Sequence, residues 1–367
     1  MSEPEPAMKK LKMSNGSAAP VIGTHSGHFH ADEALAVHLL RLLPEYQNAT
    51  ITRTRDPEVL KNCNIVVDVG GVHDDSAFRY DHHQREFNAT FPRKNTKLSS
   101  AGLVWMHYGK RIISHLTSAG IDNPDVDLLY QKLYEDFIEA FDANDNGISV
   151  YDPQELRNAG IEEKFSDKGF SIASVVSRYN HMPITPAITN KLSALMTTSK
   201  AKDQTEEDAR FVRASSFVGE QFELEISDKI TSWLPARAIV KKAFESRQSV
   251  DPEGRIIVIP YSPEGVPWSD HLYALEEETG SQGNVLYALF AENGEENSKW
   301  RIRAVSLEPG SFESRKGLPE DWRGVRDEEL SKLSGIPGCI FVHASGFIGG
   351  NQTYEGALEM AKKAVKL

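Results

Sequence analysis

Three times before residue 84, an apolar run of strand length breaks off into histidine or carboxylate, and no other feature of the chain constrains its fold as much. Val21-Ile22-Gly23-Thr24 leads into His25-Ser26-Gly27-His28-Phe29-His30-Ala31-Asp32. Asn64-Ile65-Val66-Val67 ends on Asp68, and Phe78-Arg79-Tyr80 ends on Asp81-His82-His83. Helix signals lie between the runs. Asp32 stands at the start of an apolar-periodic segment, Ala31–Leu43, where a carboxylate caps free N–H groups and meets the positive end of the dipole. Asp56-Pro57 opens a short helix after a strand at Ala49–Thr54. Strands alternating with helices predict a mainly parallel sheet with helices on both faces. Such sheets bind ligands beyond the carboxyl ends of their strands, where all three polar clusters fall. Mixed imidazole and carboxylate ligation builds open sites for one or two divalent cations, so a metal centre is expected.

The whole chain bounds that reading. A length of 367 residues favours two domains, each able to bury a core. With 26% charged and 40% hydrophobic residues it reads as an ordinary soluble globular protein. The best apolar run, Ala34 to Leu43, is broken by His38 and Arg41 and is too short to span a membrane. Cys63 and Cys339 are far apart in apolar stretches, which argues for a reducing compartment, no disulfide framework and no cysteine-based zinc site. The net charge of −12 excludes a protein that coats a long duplex. It does not exclude an enzyme that grips a few phosphates through bound cations.

Residues 1–19 are polar and aperiodic and read as a disordered tail, whose Lys9-Lys10-Leu11-Lys12 is a weak nuclear-import signal. Glu3 and Glu5 argue against a mitochondrial presequence. Ser99–Tyr108, Pro124–Phe141 and a long stretch from about Asp167 to Ser232 read as helical. Tyr130, Tyr134, Phe137 and Phe141 fall at core spacing within the second of these. Probable strands at Arg255–Pro260, Asn284–Phe290 and Lys299–Val305 precede a helix near Arg326–Leu333, a strand Cys339–Val342 and a closing helix Tyr354–Lys366. The expected division is therefore a metal-binding domain with a helical insert over 20–240 and a smaller α/β domain over 241–367.

Three metal-enzyme patterns compete. His28-x-His30-x-Asp32-Glu33 approaches the H-x-H-x-D-H signature of metallo-β-lactamase-fold hydrolases, but Glu33 stands where that signature needs a histidine. H-x-H after a strand also occurs in amidohydrolase barrels, whose eightfold strand–helix pattern is missing. Neither pattern accounts for Asp81-His82-His83. The clusters together resemble the DHH phosphoesterase superfamily, which includes single-strand exonucleases, oligoribonucleases and manganese pyrophosphatases. Its lone second-motif Asp matches Val66-Val67-Asp68, and its third motif matches Tyr80-Asp81-His82-His83-Gln84. Its first motif, H-x-x-x-D-x-D, departs: read literally, His28 and Asp32 fit but Ala34 stands at the second Asp. In the preferred register His25 leads one residue further off, His30 replaces the first Asp and Asp32 is the second, which leaves His28 outside the ligand set. A closer resemblance follows from Gly23-Thr-His-x-Gly-x-Phe-His-x-Asp-Glu-Ala-Leu-Ala, Val67-Asp-Val-Gly-Gly, Thr96-Lys-Leu-Ser-Ser-Ala-Gly, Ser232-Trp-Leu-Pro-Ala-Arg, Trp322-Arg-Gly-x-Arg-Asp and Ile336 to Gly350. On these the chain is similar to the melanocyte-proliferating-gene exonuclease family from about Val21 to its C-terminus.

That resemblance implies a DHH-type fold and 3′–5′ exonuclease action on single-stranded RNA, in the nucleus and mitochondrion. It implies a binuclear centre in which Asp68 bridges, His25 and His30 complete one cation site, and Asp32 with His82 completes the other. Imidazoles beside carboxylates favour Mn2+, with Mg2+ the alternative. Asp81 then orients its neighbours, and His83 contacts the scissile phosphate. A fourth-motif acid is expected at Asp142 or Asp145, and spacing does not choose between them. The same segment mimics an EF-hand opening, but Pro153 stands where the bidentate Glu is required. His343-Ala-Ser345-Gly346-Phe-Ile-Gly349-Gly350 reads as a Gly-rich anion loop between a strand and a helix, facing RNA across an inter-domain cleft. Arg315 and Arg323 are candidate phosphate contacts, and Lys97-Leu-Ser99-Ser100 either holds a phosphate or caps its helix. Two rival readings remain: a small-substrate phosphoesterase, acting on pyrophosphate or a cyclic dinucleotide, and a non-catalytic RNA-binding module of the same fold. Sequence leaves the oligomeric state open.

Overall fold

Parallel strands need crossover connections, and the chain supplies them with helices. In the computed structural model, which describes residues 19–162, 164–166, 169–182 and 202–367, the first sheet runs in the order β2-β1-β3-β5-β4. Its strands are β1 (Val21–Thr24), β2 (Thr50–Arg53), β3 (Ile65–Val67), β4 (His73–Asp74) and β5 (Arg79–Tyr80). β1 pairs in parallel with β2 and β3, β3 pairs in parallel with β5, and only the edge strand β4 is antiparallel. The tail patch at residues 9–12, and residues 167, 168 and 183–201 of the helical stretch expected from residue 167, lie outside the described residues.

Helix α1 (Ala31–Arg41) crosses from β1 to β2, and α2 (Pro57–Leu60), with Pro57 at its first position and Asp56 as cap, crosses from β2 to β3. Next come α3 (Ser100–Thr117), α4 (Pro124–Leu133), a π-turn at Tyr134–Ile138, α5 (Glu139–Asp145), α6 (Pro153–Asn158), α7 (Ile172–Tyr179) and α8 (Lys202–Asp228). Leu35, Leu39 and Leu40 of α1 pack with Leu103, Val104 and Ile112 of α3 into a buried layer. Tyr130, Tyr134, Phe137 and Phe141 are buried as core, and Phe91 stacks on Tyr134 with ring centroids 3.7 Å apart. Helix α8 lies along α1: the Ser215 hydroxyl donates to the Ala34 carbonyl at 2.7 Å, and Gly219 admits His38 where a side chain would collide.

The chain divides into two compact units, residues up to Ile226 and from Ser227. The second holds α9 (Leu234–Glu245), α10 (Arg247–Val250), β6 (Ile256–Ile259), α11 (Trp268–Thr279), β7 (Tyr287–Ala291), β8 (Trp300–Ala304), α12 (Asp327–Ser334), β9 (Cys339–Val342), β10 (Ile348–Asn351) and α13 (Tyr354–Lys366). Its sheet order is β6-β7-β8-β10-β9, and only β6 and β7 are parallel. Alternation puts Tyr287, Leu289, Ile302 and Ala304 on a core with Met360 and Ala361 of α13. Ile257, Ile259 and Ala288 face the other way, onto Val240 of α9 and Leu272 of α11. The chain is thus mixed α/β with two five-stranded sheets. Among the described residues no helix is long and apolar enough to cross a membrane. Both cysteines are buried and free.

Candidate metal centre

Because β1, β3 and β5 run parallel side by side, their carboxyl ends share one edge, and the three polar clusters meet there. Asp68 turns out of β3 in the left-handed conformation (φ 59°), a position that Asp tolerates better than branched residues. Its amide donates to the Tyr80 carbonyl at 3.0 Å, which fixes it beside β5. His30 occupies the N-cap of α1, and Glu33 returns both carboxylate oxygens to the His30 amide at 2.8 and 3.0 Å.

Asp68 stands at the middle of the cluster. Its Oδ2 lies 3.4 Å from His25 Nε2, and its Oδ1 lies 3.2 Å from His82 Nε2 and 3.7 Å from His83 Nδ1. His25 Nε2 is also 3.0 Å from Glu33 Oε1, and His82 Nε2 is 3.1 Å from Asp145 Oδ2. His25, Asp32, Glu33, Asp68 and His82 are all nearly inaccessible to solvent. Potential ligand atoms converge in three groups: His25, His30, Glu33 and Asp68; Asp68, His82 and His83; and His30, Asp32 and Asp145.

The electrostatics show what the cluster needs. Burial drives Asp32 well above the usual carboxylate range, and the charges of Asp68, Asp145 and Glu33 push it further the same way. Burial would also raise Asp68, but hydrogen bonds from His25 and His82 bring it down to about 2. Burial alone would lower both imidazoles; hydrogen bonds to Asp68 and Glu33 lift His25 to about 10, and those to Asp145 and Asp68 lift His82 to about 9. Buried carboxylates therefore draw protons onto the imidazoles, and cations at the same place would replace those protons. Asp32 Oδ1, Asp68 Oδ1 and both His82 ring nitrogens are buried without a well-formed hydrogen bond. Buried polar atoms seldom lack partners, so the donor set and its unsatisfied atoms fit divalent cations.

A surrounding shell holds the cluster in shape. Ser100 donates its hydroxyl to Asp32 Oδ2 at 2.8 Å. Asp81 accepts from the Gly71 amide at 2.6 Å and from His83 Nδ1 at 2.7 Å, and His83 is otherwise exposed. Buried Arg53 lies between the Phe29 and Phe211 rings, pairs with Asp208 of α8 and donates to the Gly27 carbonyl. Asn180 clamps the Phe29 backbone, donating to its carbonyl at 2.9 Å and accepting from its amide at 3.1 Å. His28 stands outside the converging groups, its ring 5.2 Å from that of His181. Two cations flank the cluster. The Arg55 guanidinium is 3.2 Å from His25 Nδ1, and Lys97 Nζ is 5.5 Å from the Phe87 ring, itself 6.3 Å from the His82 ring.

The structure does not bring every expected site residue to the cluster. The Asp142 carboxylate faces away: Oδ1 accepts from the Ser99 amide and hydroxyl and the Gly102 amide, and Oδ2 accepts from the Tyr134 hydroxyl. Asp142 is thus consumed as a helix-packing group, and of the two acids only Asp145 joins the converging atoms. The same bonds occupy Ser99, which is fully buried and unavailable to a phosphate. Arg315 is bidentate to buried Glu276, with contacts of 2.9 and 2.8 Å, and holds the start of β7 rather than a ligand. The expected Gly-rich anion loop is a β-hairpin. His343, Ser345 and Gly346 form the turn between β9 and β10, Gly346 with φ 74°, while Gly349 and Gly350 lie inside β10 and not at a helix N-terminus. A Cβ at Gly349 would sit 2.9 Å from Leu318 Cδ1, and one at Gly350 would collide with Arg301, which lies across the strand. Arg323 folds over Gly346 and donates to the Leu318 carbonyl at 3.0 Å. Sequence reasoning missed Glu33, Arg53 and Arg55. For Glu33 a signal was present, since His30 and Glu33 have capping-box spacing.

A family model for MYG1 exonucleases, described as an uncharacterised protein family (UPF0160), matches residues 21–365. The chain belongs to the MYG1 exonuclease family. It is 45% identical to the MYG1 exonuclease of Rattus norvegicus over 99% of this chain and 88% of that one. It is 44% identical to the MYG1 protein of Schizosaccharomyces pombe, with 94% and 97% covered. A pGpG-specific phosphodiesterase, PggH, from Vibrio, aligns over 95% of this chain and 98% of that one at 12% identity and TM-score 0.25, a likeness too slight to weigh. The MYG1 match spans both compact units.

Proposed function

We propose that this MYG1 family member is a metal-dependent 3′–5′ exonuclease that hydrolyses single-stranded RNA. The observation that carries the reading is the convergence of buried imidazoles and carboxylates on Asp68, in a chain whose relatives are named exonucleases. Membership in that family supports a phosphodiester hydrolase; direction of attack and the RNA substrate are the finer part of the proposal.

His25, His30 and Asp68 would hold one cation, and Asp68, His82, Asp32 and Asp145 the other, with Mn2+ favoured by the imidazole content. Such cations supply Lewis acidity and positive charge where a phosphodiester gains negative charge on hydrolysis. The chain's own groups do the rest. Asp81 fixes the His83 ring through Nδ1, leaving an exposed imidazole edge to meet the phosphate. Arg55, beside His25, and Lys97, beside Phe87, add charge for the phosphate or its neighbour. Arg53 and Asn180 keep the 25–30 loop from shifting as charge enters.

The test is to incubate purified protein with manganese and a short 5′-labelled single-stranded RNA, alongside pyrophosphate and a cyclic dinucleotide. A descending ladder with released mononucleotides is the expected result. Intact RNA with cleavage of a small substrate would move the function to small-molecule phosphoester hydrolysis. No turnover despite bound manganese would favour a binding module.

A further inference from the structure

In the second unit, α9 and α11 pack on one face of the sheet, over a core that takes Ile257, Ile259 and Ala288 from β6 and β7 and, from the β8 side, Val305 just past the strand. Register puts Arg301 opposite Phe290 and Arg303 opposite Ala288, so both arginines lie on that same face where the helix layer stops. The step between helix layer and bare sheet forms a cavity of about 420 Å³. Its lining includes Trp268 and Ser269 at the start of α11, Tyr273 one turn on, Arg303 from the sheet, and Ser311 and Phe312 from the following loop. Phe312 is fully exposed, a large apolar side chain with no role in either core. Arg315 lies 5.1 Å from the Tyr273 ring centre and backs it, and the Tyr273 hydroxyl is spent on the Ser306 carbonyl at 2.9 Å. The cavity therefore offers aromatic faces rather than a phenol.

We propose that this cavity holds one nucleobase of the single-stranded RNA, an inference that rests on the exonuclease reading. Aromatic walls suit a flat heteroaromatic ring, because every base has a face to stack. Polar edges need donors and acceptors together, and the lining combines Arg303, Asp270 and three serines, Ser269, Ser306 and Ser311, with nearly balanced charge. That balance suits a base better than a phosphate. Backbone charge is met at the rim of the cavity and beyond it. Arg303 lies 5.8 Å from the Phe347 ring centre, and Arg326 and Arg301, the latter paired with Glu292, lie 5.7 and 5.1 Å from that of Phe341, a row of cations and rings across β8, β10 and β9. Gly350 makes that row possible, since Arg301 lies across it towards Phe341.

The test is equilibrium binding of the full chain, stripped of metal with EDTA so that nothing is cut. Two labelled probes are compared by fluorescence anisotropy: a short single-stranded RNA and the same strand with its bases removed from the ribose. The wild type is expected to prefer the base-bearing strand by roughly tenfold, as stacking of one base implies. Phe312→Ser, at an exposed position that the fold does not use, is expected to remove most of that preference and leave affinity for the abasic strand unchanged. An unchanged preference in Phe312→Ser, an equal loss on both strands, or no preference in the wild type would overturn the assignment. Hydrolysis of the same RNA with manganese is scored separately. Hydrolysis with base-blind binding sinks the cavity alone, and base-dependent binding without hydrolysis sinks the exonuclease reading alone.

Discussion

One helical turn separates Asp142 from Asp145, yet their carboxylates have different surroundings. Asp142 is fully buried and collects four hydrogen bonds, and burial pushes its carboxyl up to about 6 against those bonds. Asp145 is half-buried and reaches His82. Asp142→Ala should strand the Ser99 and Gly102 amides and the Tyr134 hydroxyl and cost about 3 kcal/mol in chemical denaturation, while Asp142→Asn keeps manganese affinity close to wild type. Asp145→Asn should instead leave stability intact and weaken manganese by roughly a hundredfold in a calorimetric titration, at or beyond the range of outer partners. Equal effects of the two asparagine variants on manganese would contradict this division. The sequence could not make that choice. Both acids follow the same helix, and what separates them is Ser99 and Gly102, brought up by α3 from some 40 residues earlier in the chain. By contrast, His25, Asp68 and Asp81-His82-His83 were legible as a group, because parallel strands bring their carboxyl ends to one edge whatever the loops between them do.

Among the elements, α8 and the 25–30 loop are joined by a buried cation and by the Phe29–Phe211 ring contact. Arg53 ends β2, and its partners are Asp208 and Gly27, sandwiched by Phe29 and Phe211. Arg53→Met would leave Asp208 without its buried counter-charge, and a loss of about 3 kcal/mol is expected in urea denaturation. A loss below 1 kcal/mol would show that the contact is incidental. The parallel first sheet and the strands β6, β7, β8 and β9 were legible from apolar runs. Strand β10 was not: Ile348-Gly349-Gly350-Asn351 has low strand propensity and reads as a loop. Its glycines answer to neighbours instead, Leu318 and Phe341 at Gly349 and Arg301 at Gly350. Gly349→Val is accordingly expected to destabilise the second unit by about 1–3 kcal/mol through overpacking, with metal binding retained. The measurement is thermal melting beside a manganese titration, and an unshifted melt would refute the packing role.

At the scale of the whole molecule, the proposed function asks a chain of net charge −12 to bind a polyanion. The centre at Asp68 concentrates acids that cations would neutralise, and the arginine row of β8 adds only local positive charge. A chain built this way grips few phosphates. The logarithmic salt dependence of RNA binding is therefore expected to be shallow, with a slope of about −2 for roughly three single-strand phosphates. A slope several times steeper would reveal a long basic tract. The two compact units part at Ile226, within the span of α8. The account as a whole turns on Asp68. Its most direct test compares wild type with Asp68→Asn for bound manganese per chain and for turnover of labelled RNA. The wild type should hold two cations and degrade the strand. The variant should lose at least one cation and its turnover while melting as a folded protein. An Asp68→Asn protein that keeps both cations and near-wild-type turnover would contradict the account.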